Sequence, residues 1–267
     1  KEMSNMSIAM VELRRACKID DVVACFGEDF CVENQIEFIK LIENDLVLKK
    51  FPLPQNYLRR VLVAILDRCQ DISDELGEAL AATFQGVEEE EISYLSYRIM
   101  NHNIILRCYN RQNELGLRLW PAAEMVAAYV ATENEKFENV NIIELGAGLG
   151  LIGIVAANVA KPKSVILTDC DETVLRNLRF VIEDCNVSQQ NNTHEQTMCH
   201  VEFLDWTSFD NHSNAPFTNA AIQHADAPLL VIAADCVYDP LAAHALAHVL
   251  AQIAKKKQVV MLQRLSG

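Results

Sequence analysis

The segment Glu144-Leu145-Gly146-Ala147-Gly148-Leu149-Gly150-Leu151-Ile152-Gly153 sets four glycines between positions 146 and 153, directly after a short apolar run. Glycines at a strand-to-helix junction let the backbone turn tightly and let a ligand approach it closely. The N-terminus of the following helix favours a negative group such as a phosphate or a carboxylate. Two ligand patterns overlap here. Gly148, Gly150 and Gly153 fit G-x-G-x-x-G, the dinucleotide fingerprint. Gly146, Gly148 and Gly150, with Glu144 two positions before them, fit the E-x-G-x-G-x-G of S-adenosylmethionine enzymes. The apolar run ends at Leu145, so Gly146 takes the turn, which favours the second pattern. Asp169, at the end of the next expected strand, can accept hydrogen bonds from the ribose hydroxyls of either ligand and does not decide between them.

Two later strand ends do. Asp205-Trp206 closes an expected third strand, where a carboxylate can meet an adenine amine and the indole can stack on the ring; a plain core aromatic is the alternative for Trp206. Ala233-Ala234-Asp235-Cys236-Val237-Tyr238 closes the fourth, over the crevice where parallel sheets bind substrates. A carboxylate and a phenol there suit methyl transfer to an amine and have no obvious use in hydride transfer. A sulfonium methyl is already electrophilic, so the protein mainly has to hold a neutral amine in line with it. Free lysine, with a pKa of about 10.4, is protonated at neutral pH. Burial and a neighbouring sulfonium charge both push that value down. Asp235 is expected to accept a hydrogen bond from the amine and orient it; its charge opposes deprotonation, so it is not assigned as general base. Tyr238 is expected to wall the lysine channel. Cys236 reads as strand packing, because no histidine is placed to activate it. His244 and His248 have a helical spacing that can hold a metal, but they lack a third ligand; surface histidines are expected and no metal is assigned.

These residues need a frame. From Gly116 onward strands and helices alternate: strands at Asn141 to Leu145, Val165 to Thr168, His200 to Leu204, Leu229 to Ala233 and Val259 to Leu262. Helices open at Pro121, Leu151 and Pro240, and another buries Val174, Leu175, Leu178, Val181, Ile182 and Cys185. Alternation of this kind predicts an α/β fold, a Rossmann-like parallel sheet with helices on both faces. The first ~85 residues read as helices. One face runs Leu58, Val61, Leu62, Ile65, Leu66, Cys69; another runs Ile72, Leu76, Leu80, Phe84, capped by Ser73. An acidic run from Glu88 to Glu91 reads as a solvated loop, and Ile92 to Ile99 with Ile104 to Tyr109 read as two strands around a turn at 101–103. The expected domains are 1–115, a helical extension with a β-hairpin, and 116–267, the cofactor-binding domain. The helices either help to recognise a protein substrate or simply cover one side of the sheet.

Composition excludes several classes. A formal net charge of −14 argues against general nucleic-acid binding and suits a small cofactor or a basic protein partner. No apolar run reaches the ~18 residues of a membrane span. Nine cysteines without a C-x-x-C pair, most of them in apolar segments, read as reduced thiols of a cytoplasmic protein. A monomer is the default expectation.

Taken together, Trp120, Gly146-Ala147-Gly148, Asp205-Trp206 and the D-x-x-Y of Asp235 to Tyr238 resemble the seven-β-strand protein-lysine methyltransferases. The stretches Phe51-Pro52 to Leu66, Asp74 to Leu80 and Gly116 to Trp120 are similar to the elongation factor 2 lysine methyltransferases within that group. The likeness covers roughly residues 35 to 263. It implies S-adenosylmethionine as cofactor and one lysine of translation elongation factor 2 as target. By position it implies cofactor contacts from Trp120, Gly146, Ala147, Gly148, Trp206 and Ala234, with Asp169 on the ribose; Glu144, Gly150 and Asp205 join them from the motif itself. The family continues past its fifth strand with a helix and a final pair of strands, whereas this chain ends at Gly267. Val259 to Leu262 is therefore expected to be an unpaired apolar edge, an aggregation hazard. A fragment, an incomplete gene model or a splice form is expected, with activity in doubt. A catalytically silent binding module that keeps the fold is the alternative function, and an NAD-dependent oxidoreductase the lesser one.

Overall fold

The computed structural model describes residues 4–27, 30–84, 92–109, 115–185, 197–209, 227–236, 240–256 and 259–264. The chain divides into two compact units, Lys1–Arg98 with Cys108–Arg111, and Ile99–Arg107 with Gln112–Gly267.

The first unit is helical: α1 (Asn5–Arg14), α2 (Ile19–Ala24), α3 (Val32–Asn44), α4 (Leu46–Lys50), α5 (Gln55–Leu66) and α6 (Asp74–Ala82), followed by strand β1 (Ile92–Ile99). Val61, Leu62 and Ile65 of α5 are buried with Leu13, Phe38 and Leu76 in one core. Buried Gln35 ties this core to the chain before α6. Its amide donates to the Phe30 and Asp71 carbonyls, and its oxygen accepts the Ser73 N–H. Ser73 in turn caps α6 by accepting the Leu76 N–H at 3.1 Å. The expected face of α6 is only partly right. Ile72 and Phe84 lie outside the helix and are exposed, because the helix is a turn shorter than its apolar spacing.

β1 pairs with β2 (His102–Tyr109) in a two-stranded sheet. Met100 adopts φ +53, so the turn closes over residues 100 and 101 and β2 starts earlier than Ile104. The second unit then runs α7 (Pro121–Thr132), β3 (Asn141–Leu145), α8 (Leu151–Val159), β4 (Ser164–Asp169), α9 (Glu172–Phe180), β5 (Met198–Phe203), β6 (Leu229–Ala234), α10 (Pro240–Lys256) and β7 (Val259–Arg264). A π-helical turn, Val181–Cys185, extends α9 and buries Val181 and Cys185.

The five strands form one parallel sheet in the order β5-β4-β3-β6-β7. Residues alternate between its faces. Ile143, Leu145, Ile166, Leu229, Val231 and Ala233 join Leu246, Val249 and Ile253 of α10 in one core. On the other face α8 packs against β3 and β4, and α9 against β4 and β5. Each fully buried Leu, Ile or Val stabilises by about 1.5–3 kcal/mol, so β3, buried at all its positions, is a rigid base for whatever leaves its end. The chain steps from β3 to β4 and β5 on one side and places β6 and β7 on the other. Strand order therefore reverses beside β3, which opens the ligand crevice of such sheets between the C-terminal ends of β3 and its neighbours. This is the Rossmann-like α/β fold expected from the alternation. The acidic run 88–91 lies outside the described residues. Among the described residues no helix is long and apolar enough to cross a membrane. None of the nine cysteines is in a disulfide: Cys108, Cys185 and Cys236 are buried, while Cys31 and Cys170 are exposed.

Candidate active site

β3 stops at Leu145 and the chain turns at once, with Gly146 at φ +63, Gly148 at +53 and Gly150 at +75. Ala147 N–H donates to the Thr168 carbonyl and Gly150 N–H to the Ala147 carbonyl, both at 2.8 Å, which closes the loop onto β4. At Gly146 a side chain would be strained by the left-handed backbone. Its Cβ would also sit 3.0 Å from Cys236 Sγ and 3.3 Å from the Trp206 ring. Gly153 serves a different purpose. It is helical, and a Cβ there would overlap Leu167 Cδ2 and stand 2.8 Å from Glu144 Oε2. So Gly153 lets α8 lie close on the sheet, while the turn itself belongs to Gly146, as E-x-G-x-G-x-G requires.

The three acids of the motif do three different things. Glu144 points away from the turn, under α8, where its Oε2 accepts the Gly153 N–H at 2.8 Å. Burial pushes its pKa up to about 8; the Gly153 N–H opposes this and the Asp169 charge adds to it. Asp169 faces the loop: its Oδ2 accepts the Gly148 N–H at 3.2 Å and its Oδ1 the Asp171 N–H at 3.1 Å. Burial raises its pKa, against the backbone N–H groups of Asp171, Gly148 and Cys170. Three backbone N–H groups leave the carboxylate with acceptor capacity for one further donor. Asp205 turns to its own chain. It accepts Thr207 N–H at 2.8 Å, the Thr207 hydroxyl at 2.7 Å and the Ser208 hydroxyl at 2.9 Å, capping the short turn Trp206–Ser208. Those donors, the Thr207 hydroxyl foremost, lower its pKa.

That cap throws Trp206 back over the loop, its ring edge against Gly146. Ala147 is buried at the loop floor. Trp120 stands one step removed. It is 43% exposed, and its indole N–H donates at 3.1 Å to the Leu115 carbonyl, next to Gly116, whose own carbonyl would lie 3.2 Å from a Cβ on Gly148. Ala234 ends β6, and Asp235 follows it at φ +56. Tyr238 lies outside the described residues. The structure thus brings Gly146, Gly148, Asp169 and Trp206 together, sets Asp235 just past the end of the strand next to β3, and leaves Glu144 beneath the loop. His244 and His248 are exposed, and no cluster of His, Cys, Asp or Glu among the described residues has the makings of a metal site.

Some participants escape sequence reasoning. Thr168, fully buried, donates its hydroxyl to the Glu144 carbonyl at 2.7 Å and so bolts β4 to β3 below the turn. Gly116 wedges between the loop and α9, since a Cβ there would meet Val174. Cys236 reaches from β6 to the Leu145 carbonyl. None has a motif. A buried threonine or cysteine in an apolar run is the only signal the sequence offers, and it is a common one.

A family model described as lysine methyltransferase matches residues 100–265. An uncharacterized Dictyostelium discoideum protein is 28% identical over 223 residues, 76% of this chain and 58% of that protein. The human protein-lysine N-methyltransferase EEF2KMT is 27% identical over 222 residues, 78% of this chain and 63% of that enzyme. The Xenopus tropicalis protein N-lysine methyltransferase METTL21A is 34% identical over 100 residues, covering 38% and 45%. The chain spans about six-tenths of the length of the first two. With its match running from the hairpin through β7, the chain belongs to the lysine methyltransferase family.

Proposed function

We propose that this chain is an S-adenosylmethionine-dependent protein-lysine N-methyltransferase of the cytoplasm whose substrate is translation elongation factor 2. The observation that carries the reading is the convergence of an acid and an indole on the glycine turn: Asp169 Oδ2 on the Gly148 N–H and the Trp206 ring on Gly146. The residues fit the cofactor on structural grounds. Gly146 and Gly148 present backbone without side chains at the turn, and Asp169 holds acceptor capacity there.

When bound, S-adenosylmethionine supplies an electrophilic methyl group. Gly146, Ala147, Gly148 and Gly150 offer it bare backbone, Asp169 accepts from its ribose hydroxyls, and Trp206 lends an apolar ring to its adenine. Ala234 lines the opposite side of the crevice. Asp235 accepts a hydrogen bond from the lysine amine and aims it, and Tyr238 walls the approach. Glu144 and Asp205 act one layer out, the first on α8 and the second on the turn that presents Trp206.

Elongation factor 2 is favoured by extent. The EEF2KMT likeness covers 78% of the chain, more than the family segment alone, so it reaches into the helical unit, while the METTL21A likeness covers 38%. The excess of acidic residues suits a lysine-bearing partner. Nine cysteines without a disulfide suit a reducing compartment. Incubation with labelled cofactor and purified elongation factor 2, followed by peptide mapping, should place the label on one lysine. Label on a different lysate protein, with none on the factor, would replace the substrate.

A further inference from the structure

Cys236 has no part in the chemistry above, yet its thiol occupies the seam between the two strands that carry it. It is 5% exposed, and burial first of all pushes its pKa up to about 12, so it keeps its proton across the physiological range. That proton is shared between the Leu145 carbonyl at 3.1 Å and the Ala234 carbonyl at 3.2 Å. Leu145 is the last residue of β3 and Ala234 the last of β6. The two strands run side by side there, Leu145 opposite Ala233. The same sulfur caps Gly146, standing 3.0 Å from where a Cβ would be.

Between Ala234 and Cys236 sits Asp235, in the left-handed region at φ +56. A non-glycine residue keeps such a backbone only where its surroundings over-determine it. Here the residue before it is fixed by the ladder, and the residue after it is fixed by its own side chain, which reaches back across the seam.

We propose that Cys236 is the positioning residue for Asp235: the thiol staples the end of β6 to the end of β3, holds the left-handed turn, and so sets where the Asp235 carboxylate stands relative to the glycine loop. This deepens the methyltransferase reading and rests on it.

Three substitutions in the full chain separate the parts of the staple. Serine keeps an O–H donor at the same place, valine fills the space without a donor, and alanine removes both. With elongation factor 2 as acceptor, Cys236→Ala and Cys236→Val should lower kcat by about tenfold or more, since displacing an aiming group by an ångström is enough for that. The KM for S-adenosylmethionine should stay within about threefold, and Cys236→Ser should recover most of kcat. Hydrogen–deuterium exchange should rise in the peptide containing Asp235 for the alanine and valine variants but not for serine, with β4 and α8 unchanged. Wild-type kcat in the valine and alanine variants would overturn the proposal. So would a serine variant as impaired as alanine, or a uniform rise of exchange with parallel loss of cofactor affinity. If the unsubstituted chain transfers no methyl group to the factor, the function reading fails on its own. Exchange then decides the staple: a local rise absent from the serine variant supports it, and no rise overturns it.

Discussion

Strands β3 and β6 lie side by side and break in the same way, each into a left-handed residue, yet with opposite choices of residue. Gly146 follows β3 at φ +63 and Asp235 follows β6 at φ +56. Glycine adopts that backbone freely and lets Cys236 Sγ and the Trp206 ring close on the turn, where a Cβ would stand 3.0 and 3.3 Å from them. Aspartate adopts it at a modest cost and presents a carboxylate. On the proposed reading the first end lets a cofactor come close to the backbone and the second holds out a side chain to the substrate, so that two faces share one crevice without sharing residues.

That division can be broken from either side. On the β6 side, Asp235→Ala should lower methyl transfer by ~100-fold or more while leaving the cofactor dissociation constant unchanged, because only the amine loses its partner. Asp235→Gly should be as inactive but should melt roughly 2–4 °C above Asp235→Ala, as glycine relieves about 1 kcal/mol of left-handed strain. Single-turnover assays and thermal melts read both effects, and retained turnover in either variant would remove Asp235 from the mechanism. On the β3 side, Gly146→Ala should weaken S-adenosylmethionine binding by about tenfold or more, since left-handed alanine costs about 1–2 kcal/mol before any crowding. Calorimetry with an unchanged dissociation constant would show that the backbone there is not approached.

Beneath both faces lies a smaller, pH-dependent effect. The folded pKa of Glu144, about 8, lies above the ordinary 4.5 because burial disfavours its charge. The folded state thus binds the proton more tightly than the unfolded one. The stability this contributes is complete below about 4.5 and is lost as pH rises through about 8. Asp169 is shifted in the same direction, so it does not cancel the trend. The melting temperature should fall between pH 5 and pH 8.5, and Glu144→Gln should flatten that slope by roughly 5 °C. An unaltered slope in the variant would place the titration elsewhere.

The elements with strong periodicity are legible in the amino-acid sequence alone. β3, β4 and β6 are parallel strands covered on both faces, so they read as short, mostly apolar runs bounded by glycine or acid. The turn at Gly146 follows from where the run stops. Less is visible where a polar group has a choice of partners. Glu144 stands in the motif, but nothing in its spacing says that its carboxylate goes under α8 to Gly153 rather than up to a ligand. Asp205 reads as a partner for adenine, and nothing in its spacing says that it also caps its own turn, as an acid before Thr and Ser readily does. Apolar spacing over-extends α6, because Ile72 and Phe84 fit its period while Ser73 already fixes its start. Cys236 reads as packing, since one thiol in an apolar run carries no sign of which carbonyl it will reach.

On the proposed reading, the glycine turn, Asp169 and Trp206 form a seat for S-adenosylmethionine. The decisive measurement is calorimetric titration of the chain with S-adenosylmethionine, with NAD alongside. Saturable binding of S-adenosylmethionine, no binding of NAD, and a loss of about tenfold or more in affinity in Asp169→Ala would agree with it. Failure to bind S-adenosylmethionine, or equal affinity in the variant, would contradict it.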